Sequence, residues 1–367
     1  MGPKSKFFLL LGSGIAFIVG VFVFMAPSSE PLPGSLIGPP SLSPDGRLIA
    51  FTYGKTVGDN SLLLYDIESE QLRLIDKPSH LFVRRPSFSP DGQHLAVGTY
   101  CNEGCDHEEK YYQIATIDLD DSELTFVTSG RAYVRNGPIF SADGGAIFFT
   151  AHEIFWRDEW IALNRRWPND WDESHPATSS GLSKVSLETK EETRLFPNSE
   201  HSVRFLGCTV GSATDQGDVY FSAVHPMGGV PEPEVAEIGR KTDTLGYVFR
   251  HTGELELQAQ NTDWPMSSIS SSADGKTQIF VSSPAADRYK YDLFRLVDGN
   301  VSQISFLGTH MSYAKISANG QKVVFLADAE RRRNWSIWTH NVDTGQTQLT
   351  LEYEKIRMFL GLSEEHD

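Results

Sequence analysis

Cysteine is scarce, three residues in 367, which excludes a disulfide-built scaffold; a chain this long can bury a core of its own. Basic charge is also scarce. Lys and Arg number 32 against 48 Asp and Glu, a net charge of −16. Nucleic-acid binders need clustered Lys and Arg on a phosphate-facing surface, so no nucleic-acid partner is expected. Helical periodicity is almost absent. No G-x-S-x-G, H-E-x-x-H, P-loop or EF-hand pattern occurs. Asp118-Leu119-Asp120-Asp121 has a calcium-like look but lacks the glycine such a loop requires. No catalytic residue, metal or cofactor is therefore assigned. With 40% hydrophobic and 22% charged residues, disorder is excluded as well.

Long apolar runs are missing too, with one exception. Phe7–Ala26 is uncharged, and as a helix it would span roughly 30 Å, the thickness of a bilayer's hydrocarbon core. Lys4 and Lys6 precede it, and no Lys or Arg follows until Arg47. That asymmetry predicts a single-pass membrane protein with a cytoplasmic N-terminus and the remainder on the periplasmic or extracellular side. The run exceeds an ordinary signal-peptide core, which favours an uncleaved anchor, although Ala26-Pro27-Ser28 would make a weak cleavage site. Beyond the two lysines, 30 basic and 48 acidic residues leave −18 on the exported part.

What is abundant is a turn. Ser43-Pro44-Asp45-Gly46, Ser89-Pro90-Asp91-Gly92, Ser141-Ala142-Asp143-Gly144, Ser272-Ala273-Asp274-Gly275 and Ser317-Ala318-Asn319-Gly320 recur along the chain. Asp215-Gln216-Gly217 is a degenerate sixth copy. Asp-Gly and Asn-Gly are hairpin dipeptides, and an Asp there hydrogen-bonds its own turn, so a structural role is expected for these carboxylates. An apolar strand follows each turn (LIAFTY, HLAVGTY, AIFFTA, VYFSAV, QIFVSS, KVVFLA). A second turn follows near Glu68, Asp120, Thr189, Thr252, Asp298 and Thr344. Four short strands A–D, repeated six times, predict an all-β fold, a six-bladed β-propeller preceded by one N-terminal transmembrane helix. The expected organisation is 1–26 stub and anchor, 27–39 Pro/Ser/Gly tether, 40–355 propeller and 356–367 tail.

The S-P-D-G or S-A-D-G turn, the IAF-like strand and the YD-like strand resemble the TolB-type repeats, also called PD40 or WD40-like repeats. The resemblance covers about residues 36–351. It implies a monomeric propeller that engages a protein or peptide partner in the envelope. Prolyl-oligopeptidase-like proteins carry similar repeats before a hydrolase domain, but the repeats here leave no room for one.

Spacing locates the functional face. From the A–B turn glycine to the C–D turn the steps are 22, 28, 45, 35, 23 and 24 residues; from each C–D turn to the next glycine they are 24, 24, 28, 23 and 22. The excess falls in the B–C connections of blades two, three and four. Strand alternation puts all B–C and D–A loops on one face, so these neighbouring loops predict one raised patch, where function usually resides.

Their residues are informative. In blade two, Cys101 and Cys105 flank a short loop with His107 nearby. A disulfide is favoured over a zinc site, for which no fourth ligand is evident. In blade three, Trp156, Trp160, Leu163 and Trp167 share one face of a short helix that Pro168 would end, with Arg157, Arg165 and Arg166 alongside and Trp171 beyond. The stripe serves either to pack that helix on the propeller or as an aromatic platform. His225 opens the blade-four loop. Tyr289 and the run Arg331, Arg332, Arg333 belong to smaller loops of the same face. The leading reading is a tethered binding or scaffold propeller using these residues. The alternative is a propeller enzyme, such as a polysaccharide lyase or hydrolase, or a small-molecule sensor, drawing on His107, His175 and His225.

Overall fold

The computed structural model of the chain describes residues 35–36, 38–56, 59–101, 112–129, 133–155, 177–196, 204–227, 246–252, 255–260, 266–283, 290–328 and 335–362. They form a six-bladed β-propeller of four-stranded antiparallel blades. Blade 1 holds β1 (Ser35–Leu36), β2 (Ser41–Leu42), β3 (Leu48–Thr56), β4 (Asp59–Asp66) and β5 (Gln71–Ile75). Here the innermost strand is split, since β1 and β2 both pair with β3. β1 falls within the stretch read as a tether. Blade 2 holds β6 (Leu81–Phe88), β7 (His94–Cys101), β8 (Gln113–Asp118) and β9 (Leu124–Phe126). Blade 3 holds β10 (Tyr133–Phe140), β11 (Ala146–Phe155), β12 (Ala177–Ser186) and β13 (Glu192–Phe196). Blade 4 holds β14 (Arg204–Ala213), β15 (Val219–Met227), β16 (Gly246–His251) and β17 (Leu255–Gln260). Blade 5 holds β18 (Met266–Ser271), β19 (Gln278–Ser282), β20 (Asp292–Val297) and β21 (Asn300–Gln303). Blade 6 holds β22 (His310–Ile316), β23 (Lys322–Asp328), β24 (Ser336–Asn341) and β25 (Thr347–Leu351).

Every blade is sandwiched between two others, so both faces of its B strand are buried, while the outermost strands stay largely exposed. That is why the B strands read as unbroken apolar runs rather than alternating ones. Ala50, Leu62 and Leu64 of blade 1 pack against Val83, Leu95, Val97 and Ile117 of blade 2. The residues between them, Ile49, Phe51, Leu63 and Tyr65, pack the other way, against Val324, Leu326 and Ile337 of blade 6. Ile49, Phe51 and Leu63 are at most 1% exposed, so each stabilises the ring by about 2–3 kcal/mol.

The A–B turns repeat one hydrogen-bond pattern. The serine Oγ donates to the Asp45, Asp91, Asp143 or Asp274 carboxylate, or to the Asn319 amide oxygen, at 2.5–2.7 Å. The same oxygen of the Asp or Asn accepts the N–H two residues on at 3.0–3.1 Å. The serine Oγ in turn accepts the N–H five residues on at 2.8–3.1 Å. The glycine closes the turn at φ near +73°, a region that favours a residue without Cβ. These aspartates are structural, as their turn chemistry predicted.

Among the described residues the ring closes without exchanging strands between its ends. Blade 1 meets blade 6 along an apolar seam, and Lys322 Nζ donates to the Gly46 carbonyl across it at 3.0 Å. A helix that the sequence reading did not anticipate, α1 (Tyr353–Phe359), presses Tyr353 and Ile356 into this seam. Lys355 pairs with Glu70 of blade 1 at 3.3 Å.

Among the described residues no helix is long and apolar enough to cross a membrane; Phe7–Ala26 lies outside them.

Candidate functional site

Two regions have the shape of a site: the B–C face and the axial channel. On the B–C face, blades 3 and 4 are joined to each other. β11, β12 and β14 are 10 residues long and β15, like β3 of blade 1, is 9, against 5 in β19 and 7 in β23. The added length lies at the B–C end, where Glu153, Ile154 and Phe155 pair with Ser179, Thr178 and Ala177. A bridge from Ser180 to Phe205 then joins the two blades into one eight-stranded sheet. His152–Phe155 and Ala177–Gly181 had been read as loop; their backbones extend the hairpin instead. From these strand ends depart residues 156–176 and 228–245.

The residues expected to bind a partner fall mostly beyond this frame. Trp156, Arg157, Trp160, Arg165, Arg166, Trp167, Trp171, Tyr289, Arg331, Arg332 and Arg333 lie outside the described residues. So do His107 and His175. His225, read as opening a loop, has its backbone in β15. Cys101 is buried and disulfide-bonded; Cys105, the partner its spacing predicts, lies outside the described residues. No group of three or more His, Cys, Asp and Glu among the described residues is placed to hold a metal ion.

The described part of this face carries aromatic groups that the sequence reading passed over. Tyr100 and Tyr112 flank the blade-two loop and stack at 4.6 Å, with the Arg84 guanidinium 4.6 Å from the Tyr112 ring centre. Burial pulls the Arg84 pKa down, a cost that the facing ring partly offsets. On the far side of the ring, His310 lies 4.8 Å from Trp335 and 6.2 Å from Tyr291. These three line a hollow of about 350 Å³ with Tyr313 and Ser267. Tyr291 is the last residue of one expected B–C loop, Asp287–Tyr291, and Trp335 follows directly on another, Glu330–Asn334, which was the available signal.

The channel runs along the axis toward the A–B turns, and all six blades line it in a cavity of about 310 Å³. Its shape comes from a device absent from the sequence reading. Each of the innermost strands of blades 2–6 carries a bulge where the register slips against its neighbour. At these bulges Arg85, Gly137, Ser268 and Tyr313 adopt φ between 52° and 61°. A bulge bends the strand and re-aims its side chains. At the blade-four bulge a Cβ on Gly211 would sit 2.0 Å from the Ile269 carbonyl oxygen, so only glycine fits. Past the bulge, Pro86, Pro138 and Ala314 enter the wall with Leu42, Phe88 and Ile316. Arg85 and Lys315 are the cations there, and Lys315 Nζ donates to the Gly211 carbonyl.

The architecture is that of TolB-like propellers. TolB from Acinetobacter baumannii superposes with a TM-score of 0.54 at 16% identity, over 85% of this chain and 62% of that one. A TolB-like protein from Agrobacterium tumefaciens gives 0.55 at 15% identity, over 80% of this chain and 88% of that one. An oligogalacturonate lyase from Vibrio parahaemolyticus gives 0.52 at 12% identity, over 87% and 78%. The chain thus spans under two thirds of the Acinetobacter protein's length. No protein-family model and no curated protein sequence matches it. At these identities the likeness defines the fold class, and proteins of that class both bind partners and catalyse reactions.

Proposed function

We propose that the chain is a membrane-tethered, extracytoplasmic propeller that binds a protein or peptide partner through the B–C face of blades 2–4. The observation that carries this reading is the sheet extension of blades 3 and 4. It lengthens the blade-3 hairpin and joins it to blade 4, which supports one continuous frame for the loops that follow. Rigid strands ending in long loops rich in Trp and Arg have the composition of binding hot spots. The stacked Tyr100 and Tyr112 add aromatic surface beside them. Export fits the disulfide at Cys101, because such bonds persist in oxidising compartments. The anchor Phe7–Ala26 supplies the tether.

The test is capture from native membranes with the full chain, comparing wild type with Trp160→Ala and Trp167→Ala. A partner should be recovered with wild type and weakened about tenfold or more by each change. A partner retained by both variants sinks the blade-three platform.

A further inference from the structure

The axial channel brings together two cations from distant parts of the chain. Arg85 stands on blade 2 and Lys315 on blade 6; the latter reaches the Gly211 carbonyl of blade 4 across the opening. The Arg85 side chain lies between the break in the innermost strand of blade 1, at Gly38, and the blade-3 bulge at Gly137. Its Cγ is 2.9 Å from the position of a Cβ on Gly38, and its Nη1 is 3.6 Å from that on Gly137. The other titratable groups of the wall are Tyr313 and, at the mouth, the exposed Asp215. No described carboxylate forms an ion pair with either cation. Burial, and secondarily repulsion from Arg85, lowers the Lys315 pKa to about 8; burial also lowers that of Arg85. Two desolvated like charges carry a cost that an anion between them would offset.

We propose that the channel binds a carboxylate carrying a compact apolar group, its oxygens between Arg85 and Lys315 and its apolar part against Leu42, Phe88, Phe140, Ile269 and Ile316. Arg recognises a carboxylate through two parallel donors, and Lys adds a point charge. This goes beyond the partner-binding reading, because the channel opens among the A–B turns, opposite the B–C loops. The carboxylate could come from a free organic acid or from the C-terminal residue of a peptide.

Calorimetry on the full chain in detergent distinguishes these sources. The probes are phenylacetate, an N-acetylated tripeptide ending in phenylalanine, and the same tripeptide as its C-terminal amide. Saturable one-to-one binding of either carboxylate, with none of the amide, is expected; which one binds names the source. Arg85→Gln and Lys315→Gln should each weaken binding about tenfold or more. Wild-type affinity should fall as pH rises through about 8, where Lys315 loses its proton. Unliganded Lys315→Met should melt higher than wild type, since a buried charge is removed. Failure of both carboxylates to bind, or equal binding by both Gln variants, overturns the proposal. So does a lower melting temperature for Lys315→Met, which would make the bond to Gly211 the residue's purpose.

Discussion

In four A–B turns a single carboxylate oxygen takes a serine hydroxyl and a backbone N–H. These bonds, the serine's first, hold the pKa values of Asp45, Asp91, Asp143 and Asp274 below the ordinary 3.8. A depressed folded-state pKa means the contribution is complete above about 4. It is lost as pH falls from there through the lower folded value. Asn319 makes the same bonds without titrating. Replacing all four aspartates by asparagine should therefore keep the turns and flatten the acid limb of stability. Thermal melts from pH 5 to pH 3 should show wild type losing more than the variant, by a small margin because these carboxylates are exposed and solvent screens their interactions. Equal slopes would mean that other carboxylates govern acid unfolding.

Elements are joined by a second kind of polar anchor. Asp292, 2% exposed at the start of β20, accepts from Ser305 Oγ, Gln303 Nε2 and the N–H groups of Leu307 and Gly308 at 2.7–3.2 Å. Ser305 Oγ also takes the Leu293 N–H at 2.8 Å, as Thr128 Oγ1 takes that of Ile114 in blade 2. One side chain thereby ties the C strand of blade 5 to the connection leading into blade 6. Asp292→Ala strands several buried donors and should cost about 3 kcal/mol; Asp292→Asn, which retains an acceptor, should cost less. Urea unfolding midpoints at constant m-value measure both. The A–B turns were legible because their bonds span at most five residues and leave a fixed motif. The Asp292 anchor reaches residues 11 to 16 positions away and is built from other side chains in blade 2, Gln113 and Thr128, so no fixed motif marks it, and the α1 helix is too short to show a period.

At the scale of the ring, closure rests on one seam. Among the described residues no strand is shared between blades 1 and 6, and α1 acts as a wedge between them. Ile356, fully buried there, should cost about 2–4 kcal/mol when replaced by Ala. Hydrogen exchange should rise first in β2–β5 and β22–β25. Uniform loss of protection in all six blades would show instead that the ring opens only with global unfolding. The sequence by itself determined the repeat number, the four-strand blade and the face receiving the long B–C connections. Those follow from turn chemistry and spacing, which are local. Turn spacing also assigns Trp156, Trp160 and Trp167 to the blade-three B–C connection and their periodicity to one helix face; these residues lie outside those described. Only the tertiary structure decided the seam, the joining of blades 3 and 4 and the channel. Arg85 holds the position where blade 3 has Gly137 before its proline, and Lys315 stands between Ala314 and Ile316 in a strand that already mixes polar and apolar residues. Their meeting depends on bulges and on the circular arrangement of blades, and neither leaves a pattern along the chain.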